Sequence, residues 1–487
     1  MVTAPSRETR FVERTLTNLA NAWRDISAGA AHTIGRVAPE SGRNGQGGLR
    51  ELMQECLAAR GGEVSARARA AELGRRYLAM DARERYLFFD VLVQEFGYAA
   101  NEVDAAIERF QGAGDTLAQA EAAAALRSAF VPPRVKLLRQ FNALPDGTKF
   151  LVDLRATLLR HLETAPHLQP LDWDLKELLT AWFDVGFLSL QRITWHSPAA
   201  LLEKLIAYEA VHEIRDWNDL RDRLDSDRRC YALFHPQMPE EPLAFIEVAL
   251  TRKMAARIQH LLDDEAPPDD PAQARAAIFY SISNTQSGLR GITFGDYLIK
   301  QVVARLHQEM PRIETFATLS PIPGFRRWLN RLEPAALRAL TDSDERRALT
   351  DLAGVNDPLA ALLALVDRLE SGADDALLPV LRTPLCRLCA RYFLARRGDG
   401  TPLDPVARFH LKNGARLERI NWMGDASAKG LRQSAGLMVN YRYSLPDIEA
   451  NHEAFMRDGR IVLGNGVAGL LRGWKEPDGT PLRRLAG

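Results

Sequence analysis

The sequence is short of cysteine, of uncompensated charge and of long apolar runs, and each shortage removes a class of protein. Four cysteines among 487 residues cannot build a disulfide scaffold, and so few fit a reducing compartment. The 63 basic residues are matched by 63 acidic ones, so no net field draws in nucleic acid or an anionic membrane. Any anion binding must therefore be local. No stretch approaches the roughly 20 apolar residues of a membrane-spanning helix. Arg7, Arg10, Arg14 and Arg24 are interspersed with Glu8 and Glu13 and precede no apolar signal core, and Arg484-Leu485-Ala486-Gly487 is no peroxisomal address. A cytoplasmic protein is expected. Cys386 and Cys389 form a lone Cys-x-x-Cys pair, and their flanks place both on one buried helix face, so no metal is expected there.

What is present reads as an ordinary globular protein, 46% hydrophobic and 26% charged, but too long for a single core. Residues 1–186 carry apolar residues at helical spacing, as in Glu51 to Ala59, Arg83 to Phe96, Arg134 to Leu144 and Leu151 to Leu162, separated by Gly61-Gly62, Pro132-Pro133 and Pro145-Asp146-Gly147. No catalytic cluster stands out there, and His161 and His167 read as surface or capping residues. Such a domain is a scaffold or an oligomerisation surface. Near residue 187 the pattern changes to apolar runs of strand length at Leu188 to Trp195, Cys230 to Phe234, Leu243 to Leu250, 276–283 and 313–319, with Ser197 as the cap of a helix from Ala199. Residues 333 to 400 are again helical. The expected architecture is an α+β multidomain chain, an N-terminal all-α domain over 1–186 followed by a mixed α/β domain over 187–487 with a helical insertion.

The stretch from 276 to 328 organises the second part. An apolar run, Ala276-Ala277-Ile278-Phe279-Tyr280-Ser281-Ile282-Ser283, leads into Gly288-Leu289-Arg290-Gly291-Ile292-Thr293-Phe294-Gly295-Asp296 and then into an amphipathic helix with Asp296 as its expected N-cap. Strand, glycine loop and helix start together suit a phosphate, although a tight structural turn has the same composition. The spacing is neither that of a dinucleotide fold nor that of a P-loop. Ser320 and Pro321 then read as the N-cap and first residue of another helix. Taken alone, Ser320 is a cap and His410 a hydrogen-bonded structural histidine.

Longer blocks change that reading. Phe279 to Leu289, Leu319-Ser320-Pro321-Ile322-Pro323-Gly324-Phe325, Phe409-His410-Leu411-Lys412-Asn413-Gly414-Ala415, Arg419-Ile420-Asn421-Trp422-Met423 and Gly436-Leu437-Met438-Val439-Asn440-Tyr441-Arg442-Tyr443 resemble, in order, the signature blocks of malonyl-CoA decarboxylase. The resemblance implies a second domain similar to the GNAT acetyltransferase fold, with malonyl-CoA held along Arg290, Gly291, Ile292, Thr293, Phe294, Gly295 and Asp296. It implies Ser320 and His410 as the catalytic pair, and Asn440 and Tyr441 lie in a matching block from which they would supply hydrogen bonds in the pocket; Ser281 and Ser283, alternating with apolar residues on the strand, are second-ranked rivals to Ser320 or line the pocket. It also implies a homo-oligomer, dimer or tetramer, formed through the helical domain. Loss of CO2 from a malonyl thioester leaves an enolate whose electron sink is the thioester itself, so no metal or organic cofactor is expected. A histidine with its ordinary pKa of about 6.5 is suited to protonate that enolate. An acyl-CoA-dependent acyltransferase and an inactive CoA-binding scaffold are the alternatives.

Overall fold

The computed structural model describes residues 19–26, 46–58, 62–292, 294–372 and 376–472. The targeting readings at the two ends of the chain, residues 1–18 and 473–487, lie outside them. The chain packs as two compact units: the described residues of 1–189, 234–243 and 285–293 form one, and those of 190–233, 244–284 and 294–487 form the other.

The first unit is helical, as its periodicity requires. Its helices include Gly62–Ala79, Ala82–Glu95, Ala100–Gln111, Thr116–Ala129, Pro133–Asn142, Gly147–His161 and Gln169–Trp182. Local chemistry sets their ends. Asp81 and Glu84 form a reciprocal capping box, and Pro133 occupies a first-turn position where its missing N–H costs nothing. The core closes on Trp23, whose ring meets Phe150 edge-on at 4.8 Å and whose Nε1 donates to the Pro145 carbonyl at 2.8 Å. Leu138, Phe141, Leu154 and Leu175 are fully buried around it. Each such side chain contributes about 1.5–3 kcal/mol of burial. Segment 285–292 packs in this same unit: Thr285 N donates to Leu243 O, and Gly288 lies so close to the Gly147–His161 helix that a Cβ would sit 1.8 Å from the Val152 carbonyl oxygen.

The second unit is built on a mixed sheet of β1 (Ser189–Ile193), β2 (Arg228–Phe234), β3 (Ala244–Thr251), β4 (Ala276–Asn284), β5 (Thr315–Thr318), β6 (Ser320–Pro321), β7 (Arg416–Asn421) and β8 (Met438–Tyr443). The order is β1-β2-β3-β4-β5-β8-β6, with β7 also paired to β8. β4 and β5 pair in parallel, and the Gly295–Glu309 helix lies between them in sequence, as a parallel crossover needs. One core layer runs through Ala249, Ile258, Ile278, Tyr280, Ala317 and Met438. The insertion comprises Pro334–Leu340, Ser343–Ala353, Pro358–Ser371 and Leu377–Leu394, the last packing on β7 and burying both Cys386 and Cys389. Among the described residues no single helix is long and apolar enough to cross a membrane.

Three local expectations are corrected. Ser197 does not cap the Ala199–Tyr208 helix; Pro198 holds the cap position, and Ser197 Oγ accepts from Thr194 N at 3.1 Å in a turn. The Gly295–Glu309 helix starts two residues early, with Phe294 at its cap position, so Asp296 falls in the first turn. Ser320-Pro321 is not a helix start but the short strand β6, and the helix that follows runs Phe325–Leu329. Two prolines close together, Pro321 and Pro323, favour extended backbone before themselves, which accounts for the strand.

Candidate active site

The site begins where two strands part. The β4/β5 ladder ends at the pair Phe279 and Thr318, with a last bond from Leu319 N to Phe279 O at 2.9 Å. Beyond it β4 continues to Asn284 beside β3, whereas Ser320 and Pro321 continue the pairing of β5 with β8, opposite Val439 and Met438. Ser320 stands just past the end of that ladder.

The histidine comes from another element. His410 lies on the Pro405–Lys412 helix, which Asp404 caps by accepting from Ala407 N at 2.7 Å and which ends at Asn413-Gly414. Gly414 has φ +77°, and a Cβ there would meet the Ile448 carbonyl oxygen at 2.1 Å, so glycine is required on both counts. Asp404 is itself buried, accepts from Tyr392 Oη at 3.1 Å, and is pushed up to about 6, chiefly by burial.

Between the two elements, His410 Nε2 lies 3.3 Å from Ser320 Oγ, which donates to Thr318 Oγ1 at 2.9 Å. On its other side, His410 Nδ1 is 2.8 Å from Tyr443 Oη, and the Tyr441 ring stacks on the imidazole at 4.5 Å with 25° between planes. Burial drives the His410 pKa down to about 3. The expectation of a histidine near its ordinary value is thus corrected. The imidazole is neutral at pH 7, and Tyr443 holds one of its nitrogens while the other faces the serine.

The remaining expected residues are placed variously. Asn440 is completely buried and its amide is consumed by protein: Nδ2 donates to Thr318 O at 2.6 Å and Ala255 O at 3.1 Å, and Oδ1 accepts from Asn421 and Arg419. It braces β5, β7 and β8. Tyr441 is buried, and its hydroxyl has no hydrogen-bond partner among the described residues. Ser281 and Ser283, on the stretch of β4 beyond its ladder with β5, both donate to the Glu209 carboxylate, at 2.7 and 3.1 Å. Arg290 and Gly291 are exposed, Ile292 is half-buried, and Phe294 is buried ahead of Gly295 and Asp296 in the helix start. Thr293 lies outside the described residues.

Sequence reasoning did not single out Thr318, Tyr443 or Glu209. The first two were within reach: Thr318 and Ser320 alternate as Tyr441 and Tyr443 do, which puts each pair on one strand face. Glu209 follows a helix and carries no local signal.

Comparison with known proteins bears on this arrangement. The profile of the malonyl-CoA decarboxylase C-terminal domain matches residues 186–479, and that of the malonyl-CoA decarboxylase N-terminal domain matches residues 96–183. The chain belongs to the malonyl-CoA decarboxylase family. Members of the family from Anser anser anser and Rattus norvegicus, both named malonyl-CoA decarboxylase, mitochondrial, are 38% and 41% identical to it over 427 and 360 residues. The first alignment covers 83% of this chain and 84% of the relative, the second 71% and 72%. The crystal structure of the malonyl-CoA decarboxylase from Rhodopseudomonas palustris superposes with a TM-score of 0.77 at 46% identity, covering 86% of this chain and 98% of that one. The one from Agrobacterium vitis gives 0.78 at 43%, covering 87% and 99%.

Proposed function

We propose that the chain is a carboxy-lyase that converts malonyl-CoA to acetyl-CoA and CO2, with Ser320 and His410 as the reacting pair. The observation that carries this reading is the buried contact of Ser320 Oγ with His410 Nε2, in a member of this family. The step breaks the bond between the substrate's α-carbon and its carboxylate. The electron pair passes into the thioester as an enolate, and a proton must then reach the α-carbon. His410 Nε2 supplies it. A neutral buried imidazole is a poor proton source until charged, but a carboxylate brought beside it favours its protonated form. As the carboxylate binds, the imidazole takes up a proton from solvent, and that proton passes from Nε2 to the enolate carbon once CO2 has left. Ser320 Oγ turns from Thr318 to hydrogen-bond the carboxylate until CO2 departs. The thioester serves as electron sink, so the step draws on no metal or organic cofactor.

We assign the nucleotide phosphates of the substrate to residues 290–296, where Arg290 is exposed and a helix begins at Gly295. Ser281, Asn440 and Tyr441 shape the acyl pocket, Asn440 by bracing the strands. We further propose a homo-oligomer, dimer or tetramer, assembled through the helical domain 1–186, with 187–487 as a GNAT-like catalytic domain. A cytoplasmic location fits the four free, buried cysteines.

The test is acetyl-CoA formation from malonyl-CoA by the purified protein without added metal, beside Ser320→Ala and His410→Ala. Both variants are expected to bind substrate and turn over at least about a hundredfold slower. Binding by the wild type without acetyl-CoA formation would overturn the reading.

A further inference from the structure

The Gly147–His161 helix sends a buried arginine into the turn that carries Arg290 and Gly291. Arg155 is 2% exposed. Its Nε donates to Asp172 Oδ1 at 2.8 Å, while Nη1 donates to the carbonyl oxygens of Gly288 at 2.7 Å and Arg290 at 3.0 Å. Asp172 is fixed in turn by Gln169 Nε2 at 3.2 Å. A fully buried guanidinium aimed at two main-chain carbonyls does more than fill space, because those carbonyls decide how the loop's peptide planes face.

Leu289-Arg290-Gly291-Ile292 is a type II β-turn. Arg290 has φ −54° and ψ 129°, Gly291 has φ +81°, and Ile292 N donates to Leu289 O at 3.0 Å. Type I and type II turns differ by a half-rotation of the middle peptide, here Arg290 C=O to Gly291 N–H. Glycine at the third position tolerates the left-handed φ that type II needs. The bond from Arg155 to the Arg290 carbonyl therefore selects between them. In a trans peptide the N–H points opposite to the C=O, so drawing the carbonyl inward turns the Gly291 N–H outward. Among the described residues no acceptor takes it. A Cβ on Gly291 would lie 3.4 Å from Nζ of Lys176, and both Lys176 and the adjoining Arg290 are exposed. A free amide with two cations nearby in the structure and the chain suits a phosphate oxygen.

We propose that Arg155, held by Asp172, is a positioning residue for substrate binding: it fixes the turn so that the Gly291 amide, with Arg290 and Lys176, presents a site to the phosphates of the CoA moiety. This rests on the assignment of the phosphates to residues 290–296. It gives the helical region a part in substrate recognition beyond any assembly role.

The experiment compares malonyl-CoA with malonyl-pantetheine, which has the same reacting group and no nucleotide phosphates, in wild type, Arg155→Lys and Gly291→Ala. Lysine keeps a charge but lacks the planar guanidinium that holds Asp172 through Nε while Nη1 reaches both carbonyls. The expected result is a KM for malonyl-CoA raised about tenfold in each variant, one hydrogen bond to a charged group being worth about that. kcat and the KM for malonyl-pantetheine should stay within about twofold. A variant that still favours malonyl-CoA as the wild type does, or that impairs both substrates equally, overturns the proposal and leaves the loop assignment standing. A wild type that does not distinguish the two substrates overturns the loop assignment and the proposal together. If Arg155→Lys does not fold, Gly291→Ala, on an exposed turn, decides by the same criteria.

Discussion

Taking the protein from pH 7 to pH 5 is expected to destabilise the wild type relative to His410→Gln by about 2 kcal/mol. His410 is buried, and its pKa lies at about 3 in the folded protein against about 6.5 in the unfolded chain. Between those values the unfolded chain binds the proton and the folded one does not, so the contribution of the neutral imidazole is complete above pH 6.5 and is lost as the pH falls toward 3. At pH 5 the medium is about one and a half pH units below the ordinary value, and each unit is worth about 1.4 kcal/mol. Glutamine occupies a similar space and does not titrate, and every other acid-sensitive group is common to both proteins and cancels in the difference. The assay is the urea midpoint of each protein at half-unit steps from pH 7.5 to 5. Wild type and variant should converge or cross as the pH falls, with slopes of midpoint against urea unchanged. Parallel curves would refute the argument, because they would mean that His410 binds its proton equally well folded and unfolded.

Two further outcomes follow from the site. Tyr443→Phe removes the hydroxyl that lies 2.8 Å from His410 Nδ1 and should lower kcat about tenfold, with KM nearly unchanged, in steady-state decarboxylation; an unchanged kcat would remove Tyr443 from the reaction. Gly414→Ala puts a methyl group on a left-handed residue facing the Ile448 carbonyl and should cost about 2 kcal/mol or more by thermal or urea unfolding, because the helix carrying His410 ends there.

The parts of this molecule that a reader of the sequence can find are those set by periodicity. The helices of the first unit and the strands β2, β3 and β4 are long, regular apolar patterns, and they appear where expected. Ser320 was misread in local structure because Ser-Pro after a strand is also a helix-start signal; pairing with Val439, more than a hundred residues later, decides the matter, and no local propensity reports it. β8 escaped for the opposite reason. Its polar Asn440, Arg442 and Tyr443 hide a strand whose faces are both occupied, one by the His410 site and one by a bracing network. The histidine's depressed pKa was illegible too, since desolvation depends on what surrounds a residue and not on its neighbours in the chain. The resemblance of whole blocks pointed to Ser320 and His410; it could not give their separation.

The packing of segments 234–243 and 285–292 with the N-terminal helices bears on how the protein is made. Arg155 and Val152 meet their partners at Gly288 and Arg290 more than 130 residues later. On the ribosome, the helical unit therefore remains without those partners while roughly another hundred residues are added, about 5–20 s at ordinary rates of synthesis. During that interval a guanidinium designed for burial has only Asp172 to pair with, and the groove on the Gly147–His161 helix lies open to water or to a chaperone. The turn that carries Gly291 is thus also the piece that completes the first unit, and this turn and the finished helical core come into being in the same event.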